Sequence, residues 1–516
     1  MSRLRGARVC LVAALVLTPA LAARADEAAL QKRIEELEAQ QREVLEQLKS
    51  MQKELQAERQ RDTAAPVPVA APLPAPAVPV PAASAPAAAQ APAVQAAPAA
   101  PVAGEAGRVG EVERRQGILT DEIRKIREFL VLPETQELKS YYGLGPAASK
   151  VYGIPRGLSI GGYGESNFNK ITSDANGANS TFDFVRLVTY IGYKFTDQIV
   201  FNSEIEYEHA STGSTVSSSD GEVALELATL DYLYAEALNA RGGLMLVPMG
   251  FINEVHEPPF YLGNTRPPVE TQIIPTTWSS NGVGLFGQPF EGLEYKLYGV
   301  TSFNAKGYRS INLRDARQGG NREIANDWSF VGRGDYAILP EWSAGGSMYL
   351  GDQGQGEEYG NEDIGFRKVG AFTQIYEVHS EVLTRGFEFR ILGTTAFIDD
   401  AAILSQDEEI SLASGGQPIG EVLLGIYGEA AYNVLPLIWS DTTQYLAPWF
   451  RYTWLDTNNK VPSGFTRNKA ARRDYFEFGL QYKPIPQVVL KVDYHIQDSE
   501  AGTLPDELRL GGGFVF

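Results

Sequence analysis

The residues that could do chemistry are concentrated in one proline-rich stretch, residues 247–286. This stretch reads VPMGFINEVHEPPFYLGNTRPPVETQIIPTTWSSNGVGLF, and its acidic and basic residues are Glu254, His256, Glu257, Arg266 and Glu270. An imidazole beside a carboxylate, as in His256-Glu257, can transfer protons or hold a metal ion. However, the four histidines of the chain form no HExxH zinc pattern, and no GxSxG nucleophile elbow occurs. We therefore expect no enzyme, no cofactor and no metal site, and interpret His256-Glu257 as a pair that supports its loop.

Prolines make this stretch stiff and irregular. Pro258-Pro259, Pro267-Pro268 and Pro275 rule out long regular elements, and the stretch is too long for a simple turn. It follows an alternating segment at residues 243–248. The sequence leaves two interpretations: a loop at 249–286 that folds into a lumen and constricts it, which we favour, or an exposed surface loop.

From Leu158 onward the hydrophobic period is two, which is typical of strands with one apolar and one polar face. In the segment Ile199–Glu208, the apolar residues and the acidic residues take opposite faces. In a membrane barrel the apolar face meets lipid and the polar face lines a lumen. The predicted lumen-lining residues are Arg186, Glu204, Glu206, Glu294, Lys296, Arg333, Asp335, Glu388, Arg390, Arg451, Lys491 and Asp493. Each of these charges could equally form a cross-strand ion pair that keeps the wall solvated.

The connections between the alternating segments are short and long in turn. Tight turns such as 196–198 and 484–486 contrast with long polar connections such as 302–326 and 399–420. This rhythm indicates an all-β transmembrane barrel of about 16 antiparallel strands over residues 158–516. The last ten residues, ELRLGGGFVF, could be an edge strand, but an exposed apolar edge invites aggregation. We expect this strand to close the barrel against the segment at 158–168.

The first 157 residues have a different organisation. A basic start, an apolar run and a small-x-small site predict a signal peptide at residues 1–25. Apolar residues at alternating spacings of four and three predict a coiled coil at 26–61, in preference to a lone amphipathic helix. Residues 62–104 form a Pro/Ala-rich linker, 105–132 a second helix and 133–157 a connector. The coil implies a homo-oligomer, although the spacing does not distinguish a dimer from a trimer.

Charge and cysteine content narrow the function classes further. With 45 Lys and Arg against 64 Asp and Glu, the chain has a net charge of −19, which argues against nucleic-acid binding. The only cysteine, Cys10, lies in the signal peptide, so no disulfide is expected. After the signal peptide the sequence contains no run of about 18 apolar residues, so we predict no transmembrane helix.

The run MGFINE…EPP…RP…E…IIPTTW…NGVGL, together with the helical N-terminal extension and the terminal Phe516, resembles the phosphate-selective porin O and P family. The resemblance covers roughly residues 158–516. It implies a sixteen-stranded homotrimeric barrel in the cell outer membrane, with loops folded inward as a constriction. An even number of strands leaves both ends of the barrel on one side of the membrane, and we expect the N-terminal region in the periplasm. Members of that family pass phosphate with many basic side chains, whereas residues 150–516 carry 27 basic and 46 acidic residues here. We therefore predict passive diffusion of small hydrophilic solutes or ions through a pore that is either unselective or weakly cation-preferring.

An alternative function follows from the coil and the linker. A coil on a long uncharged spacer could reach the cell wall, and the protein would then tether the outer membrane with peptidoglycan as its partner. The predicted partners are thus outer-membrane lipid, small ions or solutes, further copies of the chain and, for the tether, peptidoglycan.

Overall fold

The computed structural model describes residues 138–173, 178–210 and 221–516. The predictions for the signal peptide, the coiled coil, the linker and the second helix lie outside the described residues. None of the helices in the described ranges is long and apolar enough to span a membrane.

Eighteen strands lie in the described ranges, and sixteen of them pair antiparallel into one closed barrel, which confirms the predicted all-β barrel. The strands are β1 (Gly157–Ser173), β2 (Thr181–Lys194), β3 (Ile199–Glu208), β4 (Glu222–Ala235), β5 (Leu238–Leu246), β6 (Ser279–Phe290), β7 (Leu293–Thr301), β8 (Trp328–Leu339), β9 (Trp342–Gly351), β10 (Glu358–Asn361), β11 (Gly365–Lys368), β12 (Thr373–Thr384), β13 (Phe387–Ile398), β14 (Val422–Tyr432), β15 (Tyr445–Lys460), β16 (Arg472–Ile485), β17 (Val488–Ser499) and β18 (Asp506–Val515). Strands β10 and β11 form a separate hairpin within the connection from β9 to β12.

The C-terminal strand closes the barrel and is not an edge. Strand β18 pairs with β1 in a register that runs from Tyr163 opposite Val515 to Lys170 opposite Leu508. Beyond the ladder, the amide of Phe516 donates to the carbonyl of Gly162, and the Gly162 amide donates to the carbonyl of Phe516. Main-chain hydrogen bonds to β1 therefore pair the edge of β18, which would otherwise be exposed.

The two ends of the barrel differ in their connections. At one end, which we call the short-turn end, most strands are joined by two to four residues. These segments are 195–198, 236–237, 291–292, 340–341, 385–386 and 486–487. The connection 433–444 at the same end is longer and contains a short helix at Leu435–Ile438. Connections at the opposite, long-loop end include 247–278, 302–327, 352–372 and 399–421. The structure thus has the alternation of short turns and long connections that the sequence indicated.

The described ranges contain five short α-helices: α1 (Pro146–Gly153), α2 (Val269–Gln272), α3 (Ala401–Gln406), α4 (Glu408–Ala413) and α5 (Leu435–Ile438). Helix α1 lies in the segment predicted to be an irregular connector. It starts at Pro146, where a missing amide costs nothing, and buries Ala147, Val151 and Tyr152 inside the short-turn end. Gly192 on β2 makes room for it, because a Cβ there would lie 2.6 Å from the Cβ of Val151.

The connection between β5 and β6 is shorter than predicted. It spans 247–278, whereas the sequence indicated 249–286. From Ser279 the chain pairs with β5, in a register from Leu246 opposite Ser279 to Asn239 opposite Phe286. The error has a physical reason: small residues such as Gly282 and Gly284 interrupt the apolar alternation, although their backbone still completes the ladder.

Candidate pore and its inner loop

The two faces of each barrel strand differ sharply in exposure. On β17, Leu490 and Ile496 point outward and are 53% and 40% exposed, whereas Lys491, Asp493 and His495 point inward and are buried. Apolar side chains cover the outside and charged side chains fill the inside, as expected of a barrel surrounded by lipid.

The twelve predicted lumen-lining residues have different surroundings in the structure. Six of them are buried, namely Glu204, Glu206, Lys296, Arg451, Lys491 and Asp493. Arg186, Arg333, Asp335, Glu388 and Arg390 are half-buried, and Glu294 is exposed. Five of the six buried residues contact the connection 247–278, which we call the inner loop; the sixth, Glu206, pairs with Arg186 on β2.

The inner loop is bound to the barrel wall by buried ion pairs at its start. Glu254 accepts hydrogen bonds from the Lys296 ammonium on β7 at 2.5 and 2.6 Å. His256 lies 3.0 Å from a carboxylate oxygen of Glu204 on β3. Arg333 on β8 donates to the carbonyl of Gly250. Three wall strands therefore hold the first ten residues of the loop.

The middle of the loop is held by wall side chains that donate to its carbonyl groups. Lys491 on β17 donates to the carbonyls of Tyr261 and Gly263, at 2.9 and 2.7 Å. Arg451 on β15 donates to the carbonyls of Leu262 and Thr265, at 2.7 and 3.3 Å. These donors satisfy buried backbone oxygens that no secondary structure pairs.

Two further glutamates of the loop bind backbone amides. Glu257 accepts from the amides of Ala147 and Ala148 at the start of α1, at 2.9 and 3.1 Å. Glu270 accepts from the Ile252 amide at 2.8 Å and from the Tyr427 hydroxyl on β14. Burial raises the pKa of both glutamates to about 7, although these hydrogen bonds oppose the shift.

Of the five predicted constriction residues, four are therefore buried and engaged with the wall, with α1 or with the loop itself. Arg266 is the exception, because it is half-buried and borders a cavity of 470 Å³ at the long-loop end. A cavity of 680 Å³ lies on the short-turn side of the loop and is bordered by Glu254, Arg333, Glu388 and Arg390. The inner loop thus lies between two open spaces.

Acidic and basic side chains alternate across six neighbouring strands beside the loop, and we call this row the charge ladder. Glu381 faces Arg390, Arg390 faces Glu429, and Glu429 faces Arg451, each directly opposite in the register. Arg451 then faces Glu477, and Glu477 faces His495. Ion pairs of 2.5–3.2 Å join successive members. Four ion-pair partners of this ladder could not be identified from the sequence, because strand register is needed to place them opposite their neighbours. They are Glu381, Glu429, Glu477 and His495.

Four arginines at the long-loop end have no acidic partner. Three of them border the 470 Å³ cavity, and the fourth, Arg317, donates to the carbonyl of Thr276, which also borders it. Arg266, Arg314, Arg317 and Arg473 are half-buried, and no ion pair within the described ranges involves them. They donate instead to neutral oxygens such as that of Thr276, and one Arg266 nitrogen is buried without any hydrogen-bond partner.

These arginines also influence one another. Burial and the neighbouring charges of Arg317 and Arg266 lower the pKa of Arg314 to about 9, which leaves it charged at neutral pH. The sequence predictions did not include Arg314, Arg317 and Arg473, although RDAR and ARR are conspicuous basic runs in a chain that is acidic overall.

Solved structures of outer-membrane proteins resemble the barrel at low sequence identity. They include Salmonella typhi OmpF in complex with daunomycin (TM-score 0.46, 13% identity, 70% of this chain and 98% of that chain). An anion-selective porin from Comamonas acidovorans has a TM-score of 0.42 and 12% identity over 70% of this chain and 99% of that chain. The outer membrane channel DcaP of Acinetobacter baumannii has a TM-score of 0.42 and 12% identity, over 70% and 97%.

Sequence comparison identifies a relative. No protein-family model matches the chain, so membership of the phosphate-selective porin O and P family stays a prediction. A protein of Aquifex aeolicus (strain VF5), described as uncharacterized, is 37% identical over 384 residues, which cover 73% of this chain and 83% of the Aquifex protein. The chain belongs to the same protein family as this Aquifex aeolicus protein.

Proposed function

We propose that the protein is an outer-membrane porin through which small hydrophilic solutes diffuse passively, without chemistry and driven by the solute gradient. The observation that carries this proposal is a closed sixteen-stranded wall with a polar interior and open cavities on both sides of the inner loop. Barrels of this size leave an aqueous channel. The inner loop, 247–278, is then the constriction, and Arg266 is its charged residue facing the path.

We propose an outer-membrane location with the short-turn end in the periplasm, and assembly as a homotrimer. Short turns are periplasmic and long connections extracellular in barrels of this class. The tether alternative depends on residues 26–104, which lie outside the described residues.

The path through the long-loop cavity favours anions, in contrast to the unselective or weakly cation-preferring pore expected from composition. Ion selectivity is set by the charges at the narrow point of a pore and not by total charge. Arg266, Arg314 and Arg473 border this cavity without acidic partners. The acidic excess is compensated locally: Glu429 and Glu477 face Arg451, so they add little attraction for cations.

The test is single-channel recording in planar bilayers with a potassium chloride gradient. Wild type should give ohmic steps and a reversal potential that indicates chloride preference. Replacing Arg314 and Arg473 by serine should shift the reversal potential toward the potassium limit. Arg367→Ser is the matched control, because Arg367 is an exposed arginine of the outer hairpin strand β11.

Two results would contradict the proposal at different levels. Absence of ohmic steps would refute the porin function. Ohmic steps with a potassium-selective wild type, or an equal shift in the Arg367→Ser control, would refute only the role of the arginines. Added phosphate would then show whether phosphate competes with chloride for this cavity.

A further inference from the structure

Three potential metal ligands meet behind the inner loop. Glu204 comes from β3, Glu226 from β4 and His256 from the loop, and one ligand atom of each lies within 4.8 Å of the others. All three side chains are buried, with 0%, 8% and 1% exposure. This is the only such group of three within the described ranges, and nothing in the proposed porin function requires it.

The hydrogen bonds of His256 leave its second ring nitrogen facing an acceptor. Nδ1 lies 3.1 Å from the carbonyl of Asn253, which can only accept, so Nδ1 carries a hydrogen. In the neutral ring Nε2 then presents a lone pair, and it points at an oxygen of Glu204 only 3.0 Å away. The Tyr190 hydroxyl donates to the same oxygen from 3.0 Å. Either a proton or a metal cation must therefore lie between Nε2 and the Glu204 oxygen.

A proton on His256 satisfies only part of this arrangement. Oε2 of Glu204 and Oε2 of Glu226 are both buried and have no hydrogen-bond partner. A buried carboxylate oxygen without a partner is costly, and such groups in native proteins are rare. A divalent cation between the three side chains accounts for the Nε2 lone pair and for the carboxylate charge together.

A bulge in the β3–β4 ladder supplies one of the carboxylates. Glu204 pairs with Leu227 and Ile205 pairs with Leu225, so Glu226 is the extra residue on β4. Without this bulge, strand alternation would direct Glu226 outward, opposite to the inward-facing Leu227. Bulges of this kind re-aim a side chain and are common beside functional sites.

The other buried histidines of the wall show a different chemistry. His379 has Glu377 on one ring nitrogen and Asp335 on the other, at 2.7 and 2.8 Å. His495 lies between Glu477 and Asp493 in the same way. Both ring nitrogens of these two histidines therefore already face a carboxylate of the wall. Only His256 combines a carbonyl on one side with converging carboxylates on the other.

We propose that Glu204, Glu226 and His256 bind a divalent transition-metal ion, with zinc as the best fit to one imidazole and two carboxylates. The hydrogen bond from His256 to a backbone carbonyl is the outer-shell contact that usually fixes a ligating imidazole. The ion would fasten the inner loop to two strands of the wall. It would therefore act as a structural clamp and not as a catalyst.

The experiment uses the full chain, purified in detergent without a histidine tag, stripped with chelator and titrated with zinc chloride by calorimetry. Wild type should bind one zinc ion per chain, and mass spectrometry of the metal content should agree. Glu226→Gln and His256→Gln should each weaken zinc binding by about 100-fold or more. Glu222→Gln, at an exposed position of the same strand, and His209→Gln, a partly exposed histidine, are the matched controls.

The change of gel mobility on heating shows whether each variant forms a closed barrel. If a variant does not fold, the zinc titration of the wild type still tests whether the site binds zinc. Wild type that takes up no zinc, a Glu226→Gln variant with unchanged affinity, or controls that lose affinity equally would overturn the proposal. Saturation by calcium but not by zinc would overturn the choice of metal class. None of these outcomes depends on conductance, so the porin proposal is tested separately.

Discussion

Replacing Arg451 by methionine should release the middle of the inner loop from the barrel wall. The guanidinium is fully buried and donates to two loop carbonyls as well as to Glu429 and Glu477. Methionine keeps the apolar stem and removes every donor. The variant therefore tests whether the charge ladder holds the loop or only solvates the wall.

The loss of free energy in this variant depends on which ion pairs and hydrogen bonds the partners of Arg451 retain. Breaking a buried ion pair by removing one member costs about 3–5 kcal/mol. Glu429 retains Arg390 at 3.2 Å and Glu477 retains His495 at 3.0 Å, which places the carboxylate contribution at the low end. Each buried loop carbonyl left without a donor adds about 1–3 kcal/mol. After relaxation of the loop we expect a loss of about 4 kcal/mol, or roughly a thousandfold increase in the opening equilibrium of the loop.

The assay is urea unfolding in lipid vesicles, followed by tryptophan fluorescence, together with single-channel recording. Arg451→Met should lower the urea midpoint and add conductance substates as the loop detaches. Lys460→Met is the control on the same strand, because its ion pair with Glu421 is exposed and is worth less than about 1 kcal/mol. If Arg451→Met resembles Lys460→Met in both measurements, the loop is not held by this ladder.

Two further perturbations act on the loop itself. Because burial raises the folded-state pKa of Glu257 and Glu270 to about 7, the folded state binds extra protons between about pH 4.5 and 7. Stability should therefore fall as pH rises through this window, by on the order of 1–3 kcal/mol per group, and unfolding at pH 5 and 8 should show less difference in Glu270→Gln. Gly250→Ala should destabilise the loop by about 2 kcal/mol or more, because the residue has a φ of +69° and the new Cβ would meet the Glu270 carboxylate. Gly365→Ala carries a similar positive φ with no atom within 4 Å, so equal urea midpoints for the two variants would contradict this account.

The sequence predicted the barrel because its physical cause is local. A strand between lipid and a polar interior must alternate with a period of two, so Leu490, Lys491, Val492 and Asp493 reveal both faces without any partner. The outcome was different for α1, whose eight residues show no strong helical pattern. That helix is stabilised by burial against β1 to β3, which only the folded barrel provides.

The sites that depend on register could not be predicted. Arg451 was recognised as an inward charge, but its neighbours Glu429 and Glu477 become partners only through strand pairing. Likewise Glu226 lies on the inner face only because of a bulge, and it meets His256 only because the inner loop folds back across the lumen. Period and composition carry no information on such long-range juxtapositions.

The inner loop contacts strands from both halves of the barrel: β3, β7 and β8 through its first residues, and β14, β15 and β17 through its later ones. In mechanical terms it is a cross-brace inside a hollow cylinder. Flattening the cylinder toward an ellipse would have to stretch or break ion pairs on both sides of the brace. The cross-section should consequently resist lateral pressure, and conductance should change little between thin and thick bilayers.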